Sequence, residues 1–192
     1  FTPIPVETGI RNDTIDMEIR IYEGMQFRIG EIIIKGNTKT NENVIRREIR
    51  TKPGMLFSRE DIIRTQRELS QLGYFNPEAF GINPIQHPET GTVDIEYAVE
   101  EKPSDQIELS GGYGAGTIIG TVGLRFTNFS LRKFFDFSEW KPVPSGDGQQ
   151  VSFRIQSNGK YFQAYSFSFT EPWLGGRKPN SLTVGFSYQR YL

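Results

Sequence analysis

The strongest constraint on the fold is a run of alternating segments in the second half of the chain. After Lys102-Pro103, five segments of about ten residues alternate apolar with polar or small side chains, and no helical periodicity is visible. Their apolar positions are Ile107, Leu109 and Tyr113; Ile118, Val122, Leu124 and Phe126; Val151, Phe153 and Ile155; Tyr165, Phe167 and Phe169; and Leu182, Val184, Phe186 and Tyr188. Alternation with a period of two predicts antiparallel strands that have one apolar and one polar face.

Such strands fit two environments. A transmembrane β-strand needs roughly 9–11 tilted residues with an apolar face toward lipid and a polar face toward a lumen. A soluble antiparallel sheet with one buried face gives the same alternation. The density of aromatic residues on one face, with Arg125 and Arg154 on the other, favours the membrane.

The first half predicts a small module of different character over residues 25–102, with the order β-α-α-β-β. The predicted elements are a strand over 27–35, a helix over 41–50, a second helix that begins after Ser58 and ends at Gly73, and strands over 79–86 and 92–99. Ser58 is a good N-cap with Asp61 three residues later, and Gly73 is a typical helix terminator. The module therefore predicts an α+β fold.

A repeated sequence segment predicts that a second such module precedes this one. Thr14-Ile15-Asp16-Met17-Glu18 reappears as Thr92-Val93-Asp94-Ile95-Glu96, an offset of 92 − 14 = 78 residues. Residues 1–24 are then the end of the preceding module, and residues 103–192 follow the complete one.

Pro84 predicts that the strand over 79–86 lies at a sheet edge, because proline cannot donate to the ladder. Such an edge can accept a strand from another chain, but proline on an edge also blocks such pairing, and both interpretations stay open. The candidate residues of this edge are Phe80, Ile82, Pro84 and Ile85.

The composition disfavours several function classes. The net charge of -1, from 22 basic and 23 acidic residues, does not indicate a basic surface that binds nucleic acid. His87 is the sole histidine and cysteine is absent, which leaves little material for a zinc site or a histidine-based catalytic set. Residues 111–116 are glycine-rich but lack the spacing and the Lys-Ser/Thr of a phosphate loop, and they predict a strand end and a tight hairpin. We therefore expect no cofactor, no metal and no enzymatic activity.

The stretch over residues 128–150 is long for a hairpin connection. It interleaves aromatic residues with basic ones, such as Phe134, Phe135 and Trp140 with Arg132 and Lys133. That pattern suits stacking on single-stranded nucleic acid or a bilayer interface, and the balanced charge favours the interface.

Several motifs resemble a known family. The motifs are Phe27-Arg28-Ile29-Gly30-Glu31-Ile32, Lys35-Gly36-Asn37-Thr38, Val44-Ile45-Arg46-Arg47-Glu48-Ile49, Pro53-Gly54 and Leu72-Gly73-Tyr74-Phe75, followed by Gly111-Gly112-Tyr113-Gly114 and Phe169-Thr170-Glu171-Pro172-Trp173-Leu174-Gly175-Gly176. The first group resembles a POTRA domain, and the second resembles the opening barrel strands, of the BamA family of outer-membrane assembly factors. The order of the motifs covers nearly the whole chain.

The resemblance implies a membrane-proximal POTRA module in the periplasm and about five strands of an incomplete barrel in the bacterial outer membrane. It implies assembly and insertion of β-barrel proteins, with unfolded clients, accessory lipoproteins and outer-membrane lipid as partners, and no nucleic acid. The first barrel strand would form a lateral gate that templates client strands; its residues are Gln106, Ile107, Glu108, Leu109, Ser110, Gly111, Gly112 and Tyr113. Partner docking would fall on the first helix, at Arg46, Arg47, Glu48 and Arg50.

Two other functions compete with this one. A related translocator of the two-partner secretion type passes proteins across the outer membrane and has fewer POTRA modules. A soluble binding protein with a β-rich half would give the same alternation.

Overall fold

The structure is a computed structural model that describes residues 2–11, 14–22, 24–114, 116–159 and 161–191. It begins with an antiparallel hairpin of β1 (Thr2–Arg11) and β2 (Thr14–Tyr22). The apolar side chains of β2, among them Ile15 and Ile19, are exposed.

The next part of the chain is the predicted module. It consists of β3 (Arg28–Lys35), α1 (Glu42–Arg46), α2 (Arg59–Gln71), a short 3-10 helix (Pro77–Ala79), β4 (Gly81–His87) and β5 (Thr92–Ala98). The sheet order is β3-β5-β4, with β3 parallel and β4 antiparallel to β5. The predicted order β-α-α-β-β is confirmed, and β4 with its Pro84 is an edge strand. The domain boundaries at residues 24 and 102 stay predictions.

Local chemistry sets the helix ends. The Ser58 hydroxyl accepts a hydrogen bond from the Asp61 amide at 3.2 Å, and Gly73 takes a φ of 86° after α2. The prediction of a helix over 41–50 was too long, since α1 ends at Arg46. Beyond it the amides of Glu48 and Ile49 bond to carbonyls three residues back, which tightens the last turn.

The core of the module lies between its sheet and its two helices. Its buried members are Ile29, Ile32, Val44, Ile45, Ile49, Ile62, Leu69, Tyr74, Phe75, Ile95, Tyr97 and Val99. The hydroxyls of Tyr97 and Thr51 share a hydrogen bond of 2.8 Å, so the buried phenol is satisfied.

All five predicted segments of the second half are strands: β6 (Gln106–Gly114), β7 (Thr117–Phe129), β8 (Gln149–Ser157), β9 (Phe162–Glu171) and β10 (Leu182–Tyr191). They form one antiparallel meander in the order β10-β9-β8-β7-β6. Between β6 and β7 the chain turns tightly, with Gly116 at a φ of 75°, as the glycine-rich run predicted.

The two faces of this sheet differ as the alternation predicted. Cross-strand pairs such as Leu109 with Val122 and Phe153 with Phe167 share the apolar face. The opposite face carries polar contacts, such as the hydrogen bond between the hydroxyls of Ser152 and Ser168 at 2.7 Å. Among the described residues, no helix is long and apolar enough to cross a membrane.

The connection from β7 to β8 is ordered by a 3-10 helix (Phe137–Glu139). A register shift between Phe126 and Phe129 places one extra residue in β7, so that Phe129 pairs with Gln149.

Candidate functional site

Strand β6 holds all eight residues that the sequence predicted for the gate strand. Within the described residues, it pairs with β7 on one side and has no strand partner on the other. No other part of the described chain covers the side chains of Ile107, Leu109 and Tyr113, which are 73%, 75% and 78% exposed. The structure therefore brings the predicted residues together in one strand, at the edge of the sheet that the described residues form.

The C-terminal end of β6, next to the turn into β7, has few side chains that contact β7. Gly111 lies opposite Gly120, and Gly112 lies opposite Ile119. A glycine pair contributes no cross-strand side-chain contact, and glycine in a strand weakens pairing. The end of β6 near the hairpin is therefore held mainly by backbone hydrogen bonds.

The N-terminal end of β6 is held by an ion pair with β8 that passes over β7. Arg154 in β8 donates from Nη2 to both carboxylate oxygens of Glu108, at 2.6 and 2.8 Å. Gly123 of β7 lies between them in register, and a Cβ there would lie 3.2 Å from the Glu108 carboxylate. The missing side chain at Gly123 is what lets the pair close.

A second contact region joins the module to the sheet. Asn41 donates from its amide to the Gly146 carbonyl at 2.9 Å and from Nδ2 to Asp147 Oδ1 at 2.8 Å. Asn128, at the end of β7, donates from Nδ2 to Thr40 Oγ1 at 2.8 Å. The segment before α1 is thus bonded to the connection between β7 and β8.

Gly148 lets the module approach this connection closely. A Cβ at Gly148 would lie 2.9 Å from Arg47 Nη2 and 3.1 Å from Tyr74 Oη, and its φ of 72° also favours glycine. Burial raises the pKa of Tyr74, so this phenol stays neutral at any physiological pH. Sequence reasoning missed Gly148, because its neighbours in space are far away in the chain.

The interface between the module and the sheet also includes a contact between the residues just after α1 and the turn after β9. Trp173 donates from Nε1 to Glu48 Oε1 at 2.7 Å, and the Arg47 guanidinium lies 5.6 Å from the centroid of the Trp173 ring. Arg47 Nε also lies 3.6 Å from Glu48 Oε1, and the two side chains are only 14% and 17% exposed. We name Arg47, Glu48 and Trp173 the indole contact.

The four predicted docking residues therefore split into two groups. Arg47 and Glu48 lie in the indole contact, whereas Arg46 and Arg50 point outward. Arg46 pairs with Glu42 at 2.6 Å and Arg50 pairs with Glu68 at 2.7 Å. Glu48, Arg50, Glu68 and Trp173 also line an open groove between the helices and the turn after β9.

Glu101 organises the loop that carries these contacts. Its carboxylate accepts hydrogen bonds from Thr38 Oγ1 at 2.6 Å and from the amides of Lys39 and Thr40 at 2.9 and 2.7 Å. Burial raises the pKa of Glu101, but these hydrogen bonds outweigh burial and hold it below its ordinary value. Glu101 follows β5 in the chain, so one carboxylate links the exit of the module to the interface.

The predicted edge residues of β4 have two different environments. Phe80 lies one residue before β4, and both Phe80 and Ile82 pack against the module core. Pro84 and Ile85 are exposed. Only the latter two are free to contact another chain.

Comparison with known proteins agrees with this geometry. The POTRA family model, described as a surface antigen variable number repeat, matches residues 27–102. The outer membrane protein assembly factor BamA of Neisseria meningitidis is 27% identical over 175 residues, which cover 89% of this chain and 19% of the relative. BamA of Neorickettsia risticii is 32% identical over 120 residues, covering 62% of this chain and 15% of the relative.

A solved structure supports the fold over nearly the whole chain. The crystal structure of BamA from Haemophilus ducreyi lacking POTRA domains 1-3 superposes with a TM-score of 0.78 at 21% identity, covering 99% of this chain and 33% of that one. The chain spans less than a fifth of the length of the curated relatives. Together these findings show that the chain is a segment of a BamA-family protein of the outer membrane, with a POTRA module on the periplasmic side and β6–β10 as strands of its barrel.

Proposed function

We propose that the protein to which this chain belongs inserts β-barrel proteins into the outer membrane by pairing client strands with β6. The observation that carries the proposal is that β6, the first strand after the POTRA module, has three glycines near its end, at Gly111, Gly112 and Gly114. The curated relatives are named as outer membrane protein assembly factors, and strand templating is the finer mechanism that we propose.

The physical reason is the cost of bare backbone in lipid. An unpaired N–H or C=O in hydrocarbon costs several kcal/mol, so an edge there favours any strand that can complete its hydrogen bonds. A client strand that adds to the edge satisfies its own backbone at the same time, as in β-augmentation. Gly111 and Gly112 also offer no side-chain contact to a strand on the other side of β6, so we expect the seam there to open easily.

The periplasmic module supplies docking surfaces in the same proposal. The exposed part of the β4 edge, at Pro84 and Ile85, is short and interrupted by proline, so it suits brief contact with a client strand. The groove lined by Glu48 and Arg50 is the surface for an accessory lipoprotein. Because Trp173 already bonds one oxygen of Glu48, such a partner reaches this carboxylate from the groove side.

Reconstitution of the full-length parent protein tests the function. The protein is placed in liposomes, an unfolded barrel client is added, and client folding is followed by heat-modifiable gel shift and protease protection. We expect faster folding into the bilayer than with empty liposomes. A client that accumulates in the vesicle lumen would instead identify a translocator. Folding no faster than in empty liposomes, with accessory lipoproteins supplied, would contradict both.

A reversible lock on the seam tests the mechanism. One cysteine replaces Leu109 of β6 and another its neighbour on the last barrel strand of the parent. The oxidised protein should lose client folding and regain it on reduction. The control has a cysteine pair at Val122 and Ile155, which links β7 to β8 and should leave folding unchanged. Full activity of the locked protein would exclude templating at β6.

A further inference from the structure

A group of aromatic side chains in the connection from β7 to β8 has no part in the contacts described above. Phe134 packs on Phe129 with ring centroids 6.3 Å apart and on Trp140 at 5.7 Å, and Trp140 packs on Phe137 at 5.5 Å. Phe135 meets Phe134 edge to face at 5.3 Å. We name these five residues the aromatic cluster.

The outer members of the cluster are exposed, whereas Phe129 at its base is buried, and the segment has a defined shape. Phe135 and Phe137 are 84% and 76% exposed. Asp136 caps the 3-10 helix by accepting from the Ser138 amide at 3.2 Å, and Trp140 Nε1 donates to the Phe134 carbonyl at 3.2 Å. An exposed aromatic patch on an ordered segment marks a surface that contacts something apolar.

Strand pairing shows on which side of the sheet the cluster begins. Phe129 pairs with Gln149, and paired residues of antiparallel strands point to the same face. By alternation, Gln149 shares its face of β8 with Val151 and Phe153. That face is the apolar one, which turns to lipid in the barrel. The cluster therefore continues the lipid-facing surface beyond the strand ends, on the side of the POTRA module.

The charges around the cluster suit the boundary of a bilayer. Residues 131–141 contain three basic residues, Arg132, Lys133 and Lys141, and two acidic ones, Asp136 and Glu139. Lys133 pairs with Glu139 at 3.3 Å, and Arg132, whose side chain is 81% exposed, lies 3.9 Å from Asp147. Aromatic rings with nearby cationic tips favour the headgroup level, where rings meet acyl chains and cations meet phosphates.

We propose that the aromatic cluster seats in the headgroup region of the periplasmic leaflet of the outer membrane. Its continuity with the lipid-facing row favours lipid over an accessory protein as the occupant. The connection follows β7, the strand that pairs with β6, so the contact fixes how deeply these two strands lie in the membrane. The inference rests on the membrane location of the barrel and not on strand templating.

Depth-resolved quenching tests this proposal. Phe135→Cys in the full-length parent, with other cysteines replaced, is labelled with an environment-sensitive fluorophore and reconstituted into phosphatidylethanolamine–phosphatidylglycerol vesicles. Lipids with a spin label near the headgroup or deep in the acyl chain are then added. We expect at least twofold stronger quenching by the shallow label. Glu89→Cys, in the exposed hairpin of the module, is the aqueous control, and Ile155→Cys on the lipid-facing row is the deep control.

The outcomes separate the candidate occupants. Quenching at position 135 that matches the Glu89→Cys control would overturn the proposal. Protection from aqueous iodide that appears only when accessory lipoproteins are added would also overturn it, and would identify a protein contact. The shallow quenching should persist in the seam-locked protein, so failure of strand templating leaves this test intact.

Discussion

Strands β5 and β6 have nearly the same alternating pattern and are separated by only seven residues, yet they lie in opposite surroundings. In β5, Val93, Ile95 and Tyr97 are between 0% and 1% exposed, whereas Ile107 and Leu109 of β6 are 73% and 75% exposed. β5 is the central strand of a sheet covered by α1 and α2, and β6 is the edge of a sheet that turns its apolar face to lipid. The comparison shows that alternation predicts a strand and its faces but not the medium that covers them.

The largest expected effect is a core substitution in β5, because a protein core is packed like a solid whereas the lipid around β6 is a liquid. Ile95→Phe should destabilise the module by about 1–3 kcal/mol through overpacking. Leu109→Phe, the matched change in β6, should alter stability by less than about 0.5 kcal/mol. Urea unfolding of the reconstituted protein, followed by circular dichroism for the module and by heat-modifiability for the barrel, measures both. Equal effects at the two positions would contradict the distinction between a packed core around Ile95 and fluid lipid around Leu109.

A smaller effect is expected at Glu101, which lies between the two strands. Glu101→Gln leaves donors at Thr38, Lys39 and Thr40 with a poorer acceptor and should cost about 1–2 kcal/mol at neutral pH. Because the pKa of Glu101 is lowered on folding, its contribution is complete above the ordinary value of 4.5 and is lost as the pH falls from there through the folded pKa. The difference between wild type and variant, measured by urea unfolding, should therefore shrink below pH 4.5. A difference independent of pH would contradict this account.

The indole contact should give an effect of about 1 kcal/mol. Trp173→Phe removes the hydrogen bond to Glu48 while keeping an aromatic ring beside Arg47. Hydrogen exchange of the peptide that contains α1 and Glu48 should then be about fivefold faster, because the segment after α1 loses its hydrogen bond to the turn after β9. Trp140→Phe, which changes a tryptophan away from the contact, is the control. Unchanged exchange in Trp173→Phe would show that the other module–sheet bonds suffice.

The smallest effect is expected for the charge pair over Gly123. Both partners are about half exposed, so Glu108→Gln should reduce stability by less than about 0.5 kcal/mol and less still at high salt. The temperature of the heat-modifiable transition, measured for Glu108→Gln, Arg154→Gln and the double variant, gives the coupling between the two residues. A coupling that is independent of salt would contradict the exposed pair.

Local sequence signals predicted most of the fold. The alternation gave all five strands after residue 103, and Ser58 and Gly73 gave the bounds of α2, because each signal acts within a few residues. The contact of Glu48 with Trp173 joins residues 125 positions apart, and no local pattern encodes it. The role of Glu101 was not predictable from its neighbours in the chain either, since its three donors belong to a loop about sixty residues earlier.

The predicted gate residues were predictable as one strand, and their role as a gate stays a prediction. The docking residues were less predictable. Arg46, Arg47, Glu48 and Arg50 were expected on one helix, but α1 ends at Arg46. Arg47 and Glu48 lie in the tighter turn after it and contact Trp173. Whether a partner binds there stays a prediction.

The position of Glu108 has a consequence for how faithfully β6 can act as a template. Glu108 stands between Ile107 and Leu109, so a slip of β6 by one residue would turn its carboxylate into hydrocarbon and leave Arg154 without its partner. A charge in that medium is penalised far more heavily than the loss of one exposed pair in water. In the templating function that we propose, β6 keeps its alignment with β7 while the strand on its other side changes, and each incoming strand meets the same sequence of donors and acceptors.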